Sequence, residues 1–418
     1  MKETNYPTNK PTEIKVHAIH DGICERCLST DVNHLLDSYG EVYCTSCEHY
    51  GRLYEFNYLY RHNRTVKPTI HMLRFSFELS EAQKRGSNFF LQCIDENKNG
   101  FLEAVCGAGK TEMLYEGILK LLNSQMRICL AIPRKQVVIE LSNRLQGVFP
   151  STIIKPLYDE LKDDQNAHII ISTIHQLIHY YHEFDAIILD EVDAFPLEGN
   201  PFLEQLIYKA IKRDALIFMM SATISKNRQI DIKKMNMNTC LIASRFHEQP
   251  LDIPQTLHIL NMTRDLYLGK INNKIIKTLR LWRLQEHFVF IYVPTIKIGT
   301  LIYEILKTVL NNVCFLSSKT RFKNVILSDF SKKRVDYLIT TSILERGVTY
   351  PNLNVMVLFA DHLIYSKEML IQISGRVGRK KSHPHGEILF VSEYLSKEMT
   401  NAILSIKSMN LLHQQSVQ

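Results

Sequence analysis

Ten short aliphatic runs, in two sets of five, constrain the fold of these 418 residues more than any other feature. The first set reads FLEAVC, RICLAIP, HIIIST, AIILD and ALIFMM. After NTCLIAS the rhythm pauses, then resumes with HFVFIYV, NVCFL, VDYLITT, NVMVLF and GEILFV. Each run is apolar on both faces and is followed by polar or helix-starting residues. Continuous apolar strands spaced by amphipathic stretches indicate a parallel sheet covered on both sides. The expected fold is therefore α/β, with two doubly wound domains at 63–245 and 246–418 that divide near Arg245.

Residues 1–62 have a different texture, polar and rich in tyrosine and histidine. They hold CERCLSTDVNHLLDSYGEVYCTSC: two C-x₂-C pairs, Cys24/Cys27 and Cys44/Cys47, separated by sixteen residues. Two knuckle-like turns offering two thiolates each make a closed tetrahedral site, so the expected metal is structural zinc. His34 and His49 lie nearby as competing ligands. The other five cysteines are scattered, several in apolar stretches, and read as small buried hydrophobes. In so short a segment the metal is expected to supply most of the folding free energy, on the order of 10 kcal/mol. Loss of one ligand, as in Cys44→Ser, should then unfold the module locally and spare the rest. The stretch that follows, EHYGRLYEFNYLYRHNR, interleaves rings with Arg52, Arg61 and Arg64, a composition suited to single-stranded DNA and equally to docking on a protein partner or to covering the core.

The segment FLEAVCGAGKTEMLYEGILKLL reads as strand, glycine-rich turn, helix. Gly107, Ala108 and Gly109 would wrap backbone N–H groups around phosphates, Lys110 would reach the β and γ phosphates, and Thr111 would ligate Mg²⁺. Ala104 stands where the strict pattern has glycine. An ordinary βα turn would leave Lys110 at a helix start, where the dipole disfavours a cation. In FDAIILDEVDAF, an apolar strand delivers Asp190, suited to Mg²⁺, and Glu191, suited to orienting the attacking water. Alternatively these acids cap the next helix. In MMSATIS, Ser221 and Thr223 are either a hydrogen-bond relay or turn formers.

Near the far end, QISGRVGRK sets Arg376 and Arg379 beside Gly375 and Gly378. Two rigid guanidinium forks on a glycine-relieved loop suit a compact anion, here the γ-phosphate of ATP. Such an arginine neutralises charge developing on the leaving phosphoryl group and is worth about 10³–10⁵ in rate. The plainer alternative is a pair of surface salt-bridge partners.

Phosphate loop, DEVD tetrad, SAT, ITTSILERGVTYP and QISGRVGR in this order resemble the superfamily-two helicases. With the four-cysteine module at the N-terminus, LERGVTYP and QISGRVGR look like the ComFA family, the ATP-driven motors of DNA uptake in natural transformation. The resemblance covers nearly the whole chain and implies two tandem RecA-like domains. It places Gln83 on adenine, Arg346 and Gly347 toward the nucleotide, and Gln372 with Asp193 in coupling the domains. It places Pro133, Arg134, Thr173, Thr340 and Thr341 on the DNA backbone. It also implies ComFC, DprA and a membrane DNA channel as partners, at the inner face of the cell membrane. Ala104 and the DEVD tetrad depart from the family's helicase motifs without removing a chemically required side chain. A replication-restart helicase similar to PriA is the alternative motor; its cysteines lie inside the second motor domain, whereas here they precede the motor. A nucleotide-gated scaffold is the alternative without a motor.

Composition agrees with these readings and narrows them little. No apolar run approaches the roughly 18 residues of a membrane span. The opening MKETNYPTNKPTEI lacks the zones of a secretory signal, so the expected compartment is the cytoplasm. A net charge of +7 permits a polyanionic partner without demanding one.

Overall fold

A computed structural model describes residues 1–8, 13–30, 35–38, 41–64, 66–159, 164, 166–194, 196–341 and 350–417. The chain divides into two compact units. The first comprises Met1–Leu79, Gln83–Glu103 and Lys110–Leu241; the second comprises Ser80–Ala82, Ala104–Gly109 and Ile242–Gln418.

The first unit is built on a seven-stranded sheet. Its order is Ile154–Leu157, Ile169–Thr173, Ile128–Ile132, Phe184–Leu189, Ile211–Ser221, Gly100–Ala104 and Asn238–Ile242. The pairings from Ile154–Leu157 through to Gly100–Ala104 are parallel. The second unit carries a six-stranded sheet, ordered Gln255–His258, Ile388–Ser392, Leu353–Leu358, Phe288–Tyr292, Tyr337–Thr340 and Val313–Leu316, with every pairing parallel. In the strand Phe288–Tyr292, Phe288, Phe290 and Tyr292 enter one apolar cluster while Val289 and Ile291 enter another. Successive side chains thus feed two cores on opposite faces, which is why the runs are apolar throughout. Several helices start where a side chain satisfies an orphan N–H: Asn200, Thr295 and Ser366 accept from Leu203, Ile298 and Met369.

The N-terminal module is a three-stranded antiparallel sheet, Lys2–Thr4, Tyr58–His62 and Ile14–His17, with two small hairpins that carry the cysteine pairs. The expectation that it stands apart does not hold. Its four cysteines, Leu53 and Leu59 share one apolar cluster with Leu177, Ile178, Leu203 and Leu206 beneath the seven-stranded sheet. Buried ions stitch the same seam. Glu3 pairs with Arg61 at 2.8 Å and with Lys209 at 2.7 Å. Glu183 pairs with Arg64 at 2.8 Å and with Arg127 at 3.0 Å. Losing one partner of such a buried pair costs about 3–5 kcal/mol, because the other charge is stranded. Arg61 and Arg64 are therefore spent inside the protein, 5% and 2% exposed, and are withdrawn as contacts for an outside ligand. Of the three arginines, only Arg52 remains exposed.

Candidate nucleotide and metal sites

The strand Gly100–Ala104 runs into a turn in which Gly107 and Gly109 take φ of +84° and +77°. Glycine enters that region without steric cost, so the loop's path is written in those two residues. Beyond it comes a single 3₁₀ turn, Glu112–Leu114, and then the α-helix Tyr115–Asn123. Lys110 and Thr111 lie half-buried in the turn ahead of it, and Ala108 is 1% exposed. Gln83 sits in the first turn of Glu81–Asp95, 5% exposed.

Asp190 and Glu191 leave the carboxyl end of Phe184–Leu189, a strand flanked by Ile128–Ile132 and Ile211–Ser221. The Asp190 N–H donates to the Ala131 carbonyl at 3.2 Å, and its Oδ1 accepts from the Glu191 N–H at 2.8 Å. Glu191 has φ +57°, a left-handed conformation that costs a residue with a Cβ about 1–2 kcal/mol. Backbone strain of this kind collects where a side chain must be aimed. No sequence signal pointed to it. Beside them, past the end of the paired strand Ile211–Ser221, the Thr223 hydroxyl donates to Asp193 Oδ2 at 2.5 Å, and the Thr223 N–H donates to Ser221 Oγ at 3.3 Å. Three of the four coupling candidates thus meet. The fourth, Gln372, lies in Lys367–Ser374 of the second unit, 5% exposed.

Arg134 and Thr173 emerge half-buried from neighbouring strands whose register pairs Thr173 with Ile132, and Pro133 is buried between. Thr340 is fully enclosed, its hydroxyl donating to the Thr341 carbonyl at 3.1 Å, and Thr341 is 9% exposed. Arg346 and Gly347 lie outside the described residues.

The arginine loop follows Lys367–Ser374. Arg376 is 1% exposed, whereas Arg379 is half-buried and spends its Nε–H on the Gly375 carbonyl at 2.7 Å. Gly378 has φ +65°, and a Cβ there would come within 2.2 Å of the Pro384 carbonyl and 2.4 Å of Arg245 Nη1. Arg245 is the residue that sequence reasoning missed. It is 1% exposed and donates to the carbonyls of Val377 at 2.9 Å, Gly378 at 3.0 Å and Pro384 at 3.3 Å, with Asp252 3.6 Å away. His247 Nε2 donates to the Gly378 carbonyl at 2.9 Å. Burial pushes the Arg245 guanidinium down from its ordinary value, and Asp252 offsets part of that. The only signal in the sequence was an arginine at the place where the domains were divided.

Arg245→Met keeps the stem and removes every donor, stranding three carbonyls at about 1–3 kcal/mol each. ATP turnover is expected to fall roughly tenfold or more, with little change in KM, and Arg245→Lys is expected to rescue only part because a point charge cannot span three acceptors. Steady-state kinetics on both variants measures this, and unchanged turnover in Arg245→Met would remove the positioning role.

In the N-terminal module the four cysteine sulfurs lie within 4.8 Å of one another, all buried. Cys24 and Cys47 are 3.8 Å apart and Cys27 and Cys44 are 3.7 Å apart. Four sulfurs about 2.3 Å from a tetrahedral zinc would be about 3.8 Å apart, so the donor set fits the metal. Arg26, 3% exposed, donates to Cys47 Sγ from Nε at 3.2 Å and from Nη2 at 3.0 Å. A buried guanidinium on a sulfur is the partner that a thiolate cluster needs. Hydrogen bonding with Cys27 holds the Cys24 thiol below its ordinary value.

Comparison with known proteins follows the same lines. Residues 76–226 match the family described as type III restriction enzyme, res subunit, and residues 270–381 match the helicase conserved C-terminal domain. Competence protein ComFA of Streptococcus pneumoniae (strain ATCC BAA-255 / R6) is 33% identical over 389 residues, covering 93% of this chain and 90% of that one. Competence protein ComFA of Bacillus subtilis (strain 168) is 32% identical over 396 residues, covering 93% and 86%. Among solved structures, S. cerevisiae Dbp5 bound to RNA and ADP BeF3 superposes with a TM-score of 0.55 at 19% identity, covering 79% of this chain and 91% of that one. At that identity the likeness is one of fold.

Proposed function

The chain belongs to the ComFA family of competence proteins, and from that premise we propose that it is a single-stranded-DNA-stimulated ATPase that draws transforming DNA inward during natural competence. It is a superfamily-two, helicase-like ATPase, and its helicase domains imply ATP and Mg²⁺. No helix among the described residues is long and apolar enough to cross a membrane.

The observation that carries the reading is the shared carboxyl edge of the first sheet. From it rise both the positive-φ glycine turn and the Asp190–Glu191 strand end, with Asp193 tied to Thr223 beside them. In this reading Lys110 neutralises the β and γ phosphates, while Thr111 and Asp190 hold Mg²⁺. Glu191 orients the attacking water, and Arg376 and Arg379 neutralise the charge that develops on the leaving phosphoryl group. Gln83 and Gly347 contact the nucleotide; Asp193, Ser221, Thr223 and Gln372 relay its state; Pro133, Arg134, Thr173, Thr340 and Thr341 face the DNA backbone. Contacts to phosphate carry little sequence preference and a steep salt dependence. Zinc at Cys24, Cys27, Cys44 and Cys47 is structural, with no ligand position left open. ComFC, DprA and the membrane channel are the partners the family suggests.

ATP hydrolysis by the purified chain, followed with single-stranded and duplex DNA in turn, tests the proposal. Stimulation by single strands is the expected result. A rate indifferent to DNA would favour a nucleotide-gated scaffold over a motor.

A further inference from the structure

The first cysteine pair reads Cys24-Glu25-Arg26-Cys27, and its two inner residues have different partners. Glu25 pairs with Arg61 at 2.8 Å. Arg26, 3% exposed, reaches the second cysteine pair instead. Its Nε–H and Nη2–H go to Cys47 Sγ at 3.2 and 3.0 Å. Nη2 also donates to the carbonyls of Cys47 at 2.8 Å and Gly51 at 2.6 Å, and Nη1 donates to that of Tyr50 at 3.2 Å.

The chain beyond Cys47 is folded around this guanidinium. Glu48–Tyr50 is a single 3₁₀ turn, closed where the Gly51 N–H donates to the Glu48 carbonyl at 2.9 Å. The end of such a turn leaves carbonyls without partners, and a cation suits the negative end of the backbone dipoles. Arg26 answers both needs by taking the Tyr50 and Gly51 carbonyls. A planar fork with five N–H donors can serve a sulfur and three carbonyls together, which an ammonium cannot. The charge has a second use. Four thiolates on a divalent ion leave two negative charges uncompensated. All four cysteines are buried, and buried charge is costly unless it is paired and hydrogen-bonded. Among the described residues, Arg26 is the cation that donates to a cysteine sulfur.

We propose that Arg26 is the positioning residue of the metal site, locking the second cysteine pair onto the first through Cys47 and tightening the module's hold on the ion. Charge-assisted hydrogen bonds are the strong ones, and two of them fall on one sulfur. They draw charge off Cys47, which makes it electronically unlike Cys24, Cys27 and Cys44. The five contacts also tie the two cysteine pairs by protein alone, so the ion enters a frame already set.

The inference rests on the zinc reading of the four cysteines, which metal analysis of the unaltered chain tests first. Arg26→Met keeps the stem and removes every donor. In competition with a chelator it is expected to hold zinc roughly 10- to 100-fold more weakly, the usual effect of losing an outer partner of a ligand. With cobalt(II) in place of zinc, the sulfur-to-metal charge-transfer bands are expected to move to longer wavelength. A sulfur relieved of its N–H donors gives up an electron more readily. Arg26→Lys keeps the charge without the fork and should recover only part of both effects. Glu48→Gln removes an exposed charge next to Cys47 in the chain and should change neither. Zinc held by Arg26→Met as tightly as by the unaltered chain, or charge-transfer bands that do not move, would overturn the role of Arg26 and leave the zinc reading standing. If Arg26→Met does not fold, the cobalt spectrum of Arg26→Lys decides, and an unshifted spectrum counts against the proposal in the same way. An unaltered chain that carries no zinc and takes up none would overturn both.

Discussion

Arg379→Ala is expected to bind ATP and to hydrolyse it about 10³–10⁵ times more slowly, the loss seen when a phosphoryl-stabilising arginine is removed. Arg379 is the cleaner of the two arginines to test. It is half-buried and uses its Nε–H on the Gly375 carbonyl, which fixes the plane of the guanidinium. Arg376 is 1% exposed, so its removal would confound chemistry with folding. An arginine that acts only as charge develops in the transition state lowers kcat and spares ground-state binding. Turnover measured beside nucleotide affinity separates the cases. Near-normal turnover in Arg379→Ala would end its assignment to the phosphoryl group, whatever the loop's geometry.

Cys44→Ser is the second large effect. A structural tetrathiolate zinc contributes on the order of 10 kcal/mol of folding free energy, comparable with the whole stability of a domain. A self-contained module would confine that loss. Here the cysteines share an apolar cluster with Leu203 and Leu206 of the helix that follows the acidic tetrad. Gln205 of that helix also donates to the Leu28 carbonyl at 2.6 Å. The variant is therefore expected to lose zinc, to lower the thermal midpoint of the first unit and to lose ATP turnover with it. Metal analysis, thermal unfolding and ATP hydrolysis on one preparation test this. Zinc lost with turnover intact would restore the picture of an independent module.

The chemistry of single positions was legible early. Gly107 and Gly109 announce a left-handed turn because no other residue takes that path cheaply, and the structure gives them that conformation. Two C-x₂-C pairs announce a four-sulfur cluster, and four buried sulfurs converge. Asp193, Ser221 and Thr223 stand out by motif one at a time; that Thr223 bonds to both of the others is seen only in the structure. The fates of the arginines were not legible. Arg52, Arg61 and Arg64 look alike in the sequence, yet two are buried in ion pairs. Arg245 looked like a boundary residue and is the clamp on the arginine loop. The strain at Glu191 left no trace in composition or spacing.

The sequence by itself determined ten of the thirteen strands of the two large sheets, missing Ile154–Leu157, Asn238–Ile242 and Gln255–His258 at their edges, together with the parallel two-faced character, the glycine turn and the thiol set, since each depends on side-chain periodicity or on the backbone freedom of a few adjacent residues. Tertiary structure alone decided which charges pair. Glu3 meets Lys209 across 206 positions, and Arg245 meets Gly378 across 133. A guanidinium is equally at home in water, in a salt bridge or against carbonyls. Its role is set by desolvation and by whichever acceptors the fold brings within 3 Å, and neither is written near it in the chain.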